Sequence, residues 1–262
     1  MHLIYPAAPD VPRRVDETYA AEFDAARSAG LGCSVIPLEE LGTNGARIRP
    51  AFPEGSTVLY RGWMLDAPAY RELCSAIGEQ GGQPLTSPEQ YLHCHHLPNW
   101  YAQCSSWTPE TLVYPIGTDL THALASLDWP AFFIKDYVKS LTTQRGSVAT
   151  TPEEAAEIVQ LIERYRGAIE GGICVRRFEQ LEPETEERYF VVKGVPYGRD
   201  GLVPELAHRI AARVECPFYS MDLVQSATGE LRLIELGDGQ VSDLKHWPAD
   251  RFAQVLAAML EK

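Results

Sequence analysis

Apolar positions in the first third of the chain fall into short runs separated by stretches of helical spacing. Leu3-Ile4-Tyr5, Cys33-Ser34-Val35-Ile36-Pro37 and Thr57-Val58-Leu59-Tyr60-Arg61 read as three strands, the second closed by proline. Between the first two, Tyr19, Ala20, Phe23 and Ala26 share one face of a helix that Asp16 would cap and Gly30 would stop. After the third, Tyr70, Leu73 and Ile77 mark a helix ending near Gly81-Gly82. Strands alternating with helices at this spacing predict βαβ units and a mostly parallel sheet. Ser87-Pro88-Glu89-Gln90 has the form of a capping box with proline at the first helical position. Prolines at 98, 109, 115 and 130 mark residues 97–130 as an irregular connection into a second lobe.

The pattern then changes. Ala131-Phe132-Phe133-Ile134-Lys135 is a buried strand with a charge at its end. Thr151-Pro152-Glu153-Glu154 opens a helix with Ala155, Ile158, Val159 and Ile162 on one face. Strands are expected at 173–178, 188–193 and 218–225, and a turn at Thr228-Gly229 leads into another at 231–235. The acidic run Glu182 to Glu187 reads as a solvated turn. A closing helix carries Phe252, Val255, Leu256 and Met259. The order after residue 130 is α+β, with no internal repeat and no low-complexity segment.

Composition narrows the function classes. The 262 residues include 45% hydrophobic and 23% charged positions, enough for a full core and unlike a disordered chain. The formal net charge of −13 disfavours generic nucleic-acid binding, while leaving room for a local basic pocket that holds a small polyphosphate. No apolar run has the length of a membrane span, and the start of the chain lacks the form of a secretory signal, so a cytoplasmic protein is expected. Six cysteines without a CxxC pair are then expected as reduced, mostly buried thiols.

Candidate chemistry sits where charge interrupts apolar strands. Asp222 and Glu235 lie in the two strands that the turn at 228–229 would fold together, and each interrupts an apolar run, which is costly unless its charge is compensated. Mg²⁺ is one such partner, with Asp238 as a further oxygen donor; an acidic hairpin facing water is the alternative. Lys135 ends a buried strand, Lys139 follows four residues later, and the polar loop Ser140 to Ser147 suits a triphosphate, or is simply solvated. Arg176, Arg177 and Arg188 stud two further strands as anion ligands or surface charges. Arg61, at a strand end, could anchor a substrate carboxylate bidentately. The run His93-Cys94-His95-His96 reads as part of an ordinary helix, because three consecutive side chains cannot face one side. Trp100, Tyr101 and Trp107 read as interface packing.

Taken in order, a lysine strand, a polar loop, a helix, a hinge strand, a Glu-Arg strand, an Asp strand and a Glu strand resemble the ATP-grasp fold over 131–243. The segments Arg61-Gly62-Trp63, Lys135-Asp136-Tyr137-Val138-Lys139-Ser140 and Glu235-Leu236-Gly237-Asp238-Gly239-Gln240 resemble the subgroup named for an arginine and two lysines. The resemblance implies a pre-ATP-grasp α/β domain at 1–95 and a two-lobed ATP-grasp domain at 96–262, with ATP between its lobes. It implies a carboxylate–amine ligase using ATP and Mg²⁺ on small-molecule or peptide substrates, with no nucleic-acid or membrane partner; a homodimer is left open. Lys135 would contact the α- and β-phosphates, and Lys139 the phosphates or the acyl phosphate. The backbone near Phe178 and Glu179 would meet adenine, with Arg176 and Arg177 beside it at the hinge. Arg188 would stabilise the transferring phosphoryl group, and Asp222, Glu235 and Asp238 would hold Mg²⁺. The chain departs from the family pattern in having one glycine in the 140–147 loop and two arginines where an acidic hinge residue is usual. A catalytically silent nucleotide-binding or interaction protein and a kinase-like phosphotransferase share the same fold.

Overall fold

The computed structural model describes residues 1–43, 46–141 and 143–258. Contacts divide the chain into two units, Met1–Leu92 with Arg188–Met221 and Gly237–Lys262, and His93–Glu187 with Asp222–Leu236.

The first unit begins with β1 (His2–Ala8), on whose end β2 (Val11–Val15) folds back antiparallel. Asp16 caps a 3₁₀ turn, Glu17–Tyr19, rather than the helix itself, and α1 (Ala20–Ser28) follows and stops at Gly30, whose φ of +81° suits glycine. Strands β3 (Gly32–Ile36) and β4 (Thr57–Tyr60) both pair parallel with β1, as the alternation predicts. Helix α2 (Ala67–Glu79) leads to the short edge strand β5 (Gln83–Pro84). Both faces of the sheet are covered. Ile4, Ile36, Val58 and Tyr60 meet Tyr70, Leu73 and Ile77 of α2, while Leu3, Tyr5, Cys33 and Leu59 belong to the cluster that holds Ala26 of α1. Alternate strand positions point to opposite faces, so the apolar runs of these strands are buried on both sides. Helix α3 (Pro88–His95) starts with the expected capping box: Ser87 Oγ accepts from Gln90 N (3.2 Å) and Ser87 N donates to Gln90 Oε1 (2.9 Å).

The stretch 97–130, expected to be irregular, contains α4 (Leu97–Cys104), β6 (Thr111–Tyr114) and α5 (Leu120–Ala123). Its prolines flank these elements instead of interrupting them: Pro98 lies in the first turn of α4, and Pro109 and Pro115 bracket β6. Then come β7 (Phe132–Asp136), β8 (Val148–Ala149), α6 (Pro152–Arg166) and β9 (Ile173–Arg177). The antiparallel sheet β6-β9-β7-β8 is the scaffold of the second unit. Ala155, Ile158 and Ile162 of α6 pack with Phe132, Ile134, Ile173 and Val175.

The rest of the chain forms β10 (Leu181–Val192), β11 (Val195–Tyr197), α7 (Glu205–Ala211), β12 (Phe218–Ser226), β13 (Leu231–Asp238) and α8 (Ala249–Ala257), with strand order β11-β10-β12-β13. The acidic run 182–187 is therefore strand and not turn. Its side chains alternate irregularly between exposed and half-buried, but Thr185 Oγ1 accepts from Gln225 N of β12 (2.9 Å), so the neighbouring strand supplies the pairing that residue type disfavours. Helix α7 has no counterpart in the sequence expectation. The turn into β13 is as expected, with Gly229 at φ +81°. On α8, Phe252, Val255 and Leu256 are buried; Met259 lies outside the described residues.

Candidate active site

In the second unit, β7 carries Lys135 at its buried end, and the Lys135 ammonium lies 3.2 Å from Glu235 Oε1 of β13. The lysine side chain is 7% exposed and the glutamate 44%, so the pair joins a buried cation to a carboxylate with a solvent-facing side. Asp222 of β12 is buried. Lys139 is exposed, and its backbone N–H donates to Asp136 Oδ1 (2.6 Å). Thr142 of the polar loop lies outside the described residues.

Arg176 of β9 is buried. It donates through Nη1 to Ile234 O (2.8 Å) and through Nη2 to Thr108 Oγ1 (2.5 Å), while its Nε has no hydrogen-bond partner among the described residues. Burial pulls its pKa down to about 10, opposed by the nearby Glu235 carboxylate. Arg177 points to solvent. The Phe178 amide donates to Ala131 O (3.0 Å), and the Glu179 carboxylate is gripped by Arg232 Nε and Nη2, each at 2.8 Å. From the His93–His96 run, His96 Nε2 lies 3.0 Å from Glu170, and burial drives the His95 pKa down to about 4.

In the first unit, Arg61 directly follows β4. Its guanidinium is 1% exposed, and its fork is already filled by Glu22, with Nε to Oε1 at 2.7 Å and Nη2 to Oε2 at 2.8 Å. Its Nη1 donates to Gly239 O and Ser242 O, and Phe252 lies 4.7 Å beneath it. The guanidinium is thus enclosed by these partners on every side that they describe. Arg188 is nearly buried and donates through Nη1 to the Asp243 carboxylate (2.7 Å) and main-chain oxygen (2.9 Å). Asp238 is fully buried; its Oδ1 accepts from Gln240 N (2.9 Å) and Gln240 Nε2 (3.0 Å), and burial raises its pKa to about 7. Among the described residues, no three His, Cys, Asp or Glu side chains gather as metal ligands. One or two carboxylates are what Mg²⁺ takes beside phosphate oxygens.

Two residues that matter here do not stand out in the sequence reading. Glu22 sits three residues after Tyr19 and four before Ala26, on the apolar stripe of its helix, and that misplaced charge is the signal for a buried partner. Asp136, directly after Lys135, ends a buried strand and opens the turn to Lys139; nothing in its local pattern sets it apart.

This arrangement of sheets is that of the ATP-grasp fold. Solved structures match it along nearly the whole chain. They include D-cycloserine synthetase DcsG (TM-score 0.65, 18% identity, 99% of each chain). A second is the ATP-grasp ligase PsnB complexed with a phosphomimetic variant of minimal precursor, Mg and ADP (0.59, 15%, 98% of this chain and 96% of that one). A third is a RiPP-associated ATP-grasp ligase of Chryseobacterium gregarium in complex with ADP and a leader and core peptide (0.62, 12%, 99% and 96%). At these identities the likeness establishes the fold. The family model for the ATP-grasp domain, family 3 of the arginine-and-two-lysine clade, matches residues 126–256, half of the sequence, and the chain belongs to that family. The resemblance to the arginine-and-two-lysine subgroup and the α+β ATP-grasp fold are thereby borne out. No curated protein matches the chain.

Proposed function

We propose that the protein is an ATP-dependent carboxylate–amine ligase. A substrate carboxylate attacks the γ-phosphorus of ATP, giving an acyl phosphate and ADP, and an amine then displaces phosphate to form an amide. The observation that carries this reading is the contact of Lys135 with Glu235, residues 100 positions apart in sequence, on neighbouring scaffolds of a family that binds ATP.

Phosphoryl transfer calls for positioning and charge neutralisation and needs no nucleophilic side chain. The donor set fits Mg-ATP on chemical grounds. Lys135 and Lys139 supply ammonium groups for phosphate oxygens, and Asp222 and Glu235 supply hard carboxylate oxygens for magnesium. Magnesium, when bound, neutralises phosphate charge. Lys135 would orient the nucleotide's tail. The Phe178 amide is already used by Ala131, so adenine is read by the remaining main-chain groups of 178–179. Arg188 keeps its proposed role toward the transferring phosphoryl group. Residues 1–95 serve as the pre-grasp domain and 96–262 as the ATP-grasp domain. Peptides lead the candidate substrates, because the likeness includes ligases solved with precursor peptides.

The test is ADP release with Mg-ATP across amino acids, dipeptides and longer peptides. Release that requires both a carboxylate and an amine, with an amide product in the mass spectrum, is expected. Release with one substrate and a phosphorylated product instead would make the protein a kinase, and a protein that binds no Mg-ATP in calorimetry would be neither.

A further inference from the structure

Lys135 and Lys139 are separated by a turn whose geometry is set by one buried carboxylate. Asp136 is 1% exposed. Its Oδ1 accepts from Val138 N (2.7 Å) and Lys139 N (2.6 Å), and its Oδ2 accepts from Glu170 N (3.2 Å) and from Arg166 Nη1. The Asp136 N–H closes the turn by donating to Lys139 O (3.0 Å), and an antiparallel bridge joins Lys135 to Ser140. The turn is held from two other directions. Tyr137 N donates to Glu170 O (3.2 Å) and Tyr137 O accepts from Leu97 N (2.9 Å). The Tyr137 ring packs so closely on Gly171 and Gly172 that a Cβ at either would overlap it.

We propose that Asp136 is the positioning residue that fixes the two cations relative to each other for the nucleotide's phosphates. The proposal rests on the assignment of Lys135 and Lys139 to those phosphates. The two carboxylate oxygens of Asp136 tie the turn between the lysines to the body of the unit: Oδ1 accepts from the amide of Lys139 itself, and Oδ2 accepts from Arg166 at the end of α6 and from the Glu170 amide that follows it. An aspartate serving only the fold could bind any four donors, whereas this one takes the amide of the second lysine while standing next to the first. Where a phosphate must meet two ammonium groups at once, losing one charge-assisted contact weakens binding roughly ten- to a hundredfold. Asn at this position keeps an acceptor for the amides of Val138 and Lys139 but turns donors toward Arg166 and the Glu170 N–H, so it rescues half of the arrangement.

The experiment measures Mg-ATP affinity by calorimetry for the wild type, Asp136→Ala, Asp136→Asn, Lys135→Ala and Ile158→Ala. The last opens a cavity in the α6 core and reports what a loss of stability alone does. Hydrogen exchange at the amides of Val138 and Lys139 is read in parallel. Asp136→Ala is expected to weaken binding roughly ten- to a hundredfold, with Asp136→Asn between it and wild type. Amides 138 and 139 should exchange faster in Asp136→Ala only, and Ile158→Ala should bind nearly as wild type despite a lower melting temperature. If Lys135→Ala destroys binding while Asp136→Ala binds as wild type, or if affinity simply follows melting temperature, the positioning role is overturned and the nucleotide assignment stands. If Lys135→Ala binds as tightly as wild type, the nucleotide assignment fails and takes this proposal with it.

Discussion

Replacing Glu22 by alanine should destabilise the protein far more than the loss of an ordinary ion pair. Exposed pairs contribute about 0–1 kcal/mol. Here both partners are buried, Arg61 at 1% and Glu22 at 5% exposure, and the contact is bidentate. The alanine leaves the Nε and Nη2 donors of Arg61 without acceptors, while Nη1 stays tied to Gly239 O and Ser242 O, so the guanidinium cannot swing out to water. Removing one partner of such a pair typically costs about 3–5 kcal/mol. Charged hydrogen bonds at about 1.5–3 kcal/mol each, two of them lost, give the same range. At roughly 2–4 °C per kcal/mol for chains of a few hundred residues, the melting temperature should fall by on the order of 10 °C. Calorimetry on Glu22→Ala, Arg61→Met and the double variant Glu22→Leu/Arg61→Met checks this, and the double variant should lose less than the sum of the two singles. A Glu22→Ala protein within about 1 kcal/mol of wild type would falsify the reasoning, because it would place the pair in the surface class. Restored to the folded state at low temperature, Arg61→Met should leave the KM for the carboxylate substrate unchanged, in contrast to a true substrate anchor.

Three further outcomes are expected. Lys135→Ala should abolish substrate-dependent ADP release and weaken Mg-ATP binding by about tenfold or more, the worth of one charge-assisted contact, read by coupled assay and calorimetry. Asp238, whose pKa is raised from 3.8 to about 7 by burial, holds a proton in the folded state that the unfolded chain has already released between those values. Its contribution is therefore complete below about pH 4 and is lost as pH rises toward 7. Denaturation of Asp238→Asn across that window should show a shallower decline than wild type, and parallel curves would remove the assignment. Gly171→Ala places a Cβ into the Tyr137 ring at a residue with φ +74°, so a loss of about 1–3 kcal/mol in thermal unfolding, with weaker Mg-ATP binding, is expected.

Much of the local architecture is legible because it follows from backbone periodicity. The runs around 3–5, 33–36 and 57–60 are strands of one parallel sheet, and the stripe 155, 158 and 162 packs against the second sheet, as spacing alone requires. Structure and expectation part where residue type and partner disagree. The prolines of 97–130 suggest interruption, although they lie at element ends; the glutamates of 182–187 suggest a turn, although a neighbouring strand pairs them. Of the candidate site, the order Lys135, Asp222, Glu235 is readable, and the enclosure of Arg61 is not.

The sequence by itself determined the longer apolar strands and amphipathic helices, which of their faces are apolar, and which charges interrupt them, because those features depend on the neighbours within a few residues. The tertiary structure alone decided what each charge meets. Glu22 and Arg61 lie 39 residues apart and Lys135 and Glu235 lie 100 apart, and no local pattern records those pairings. A buried charge is settled by the partner that neutralises it, and that partner is chosen by the packing of distant elements.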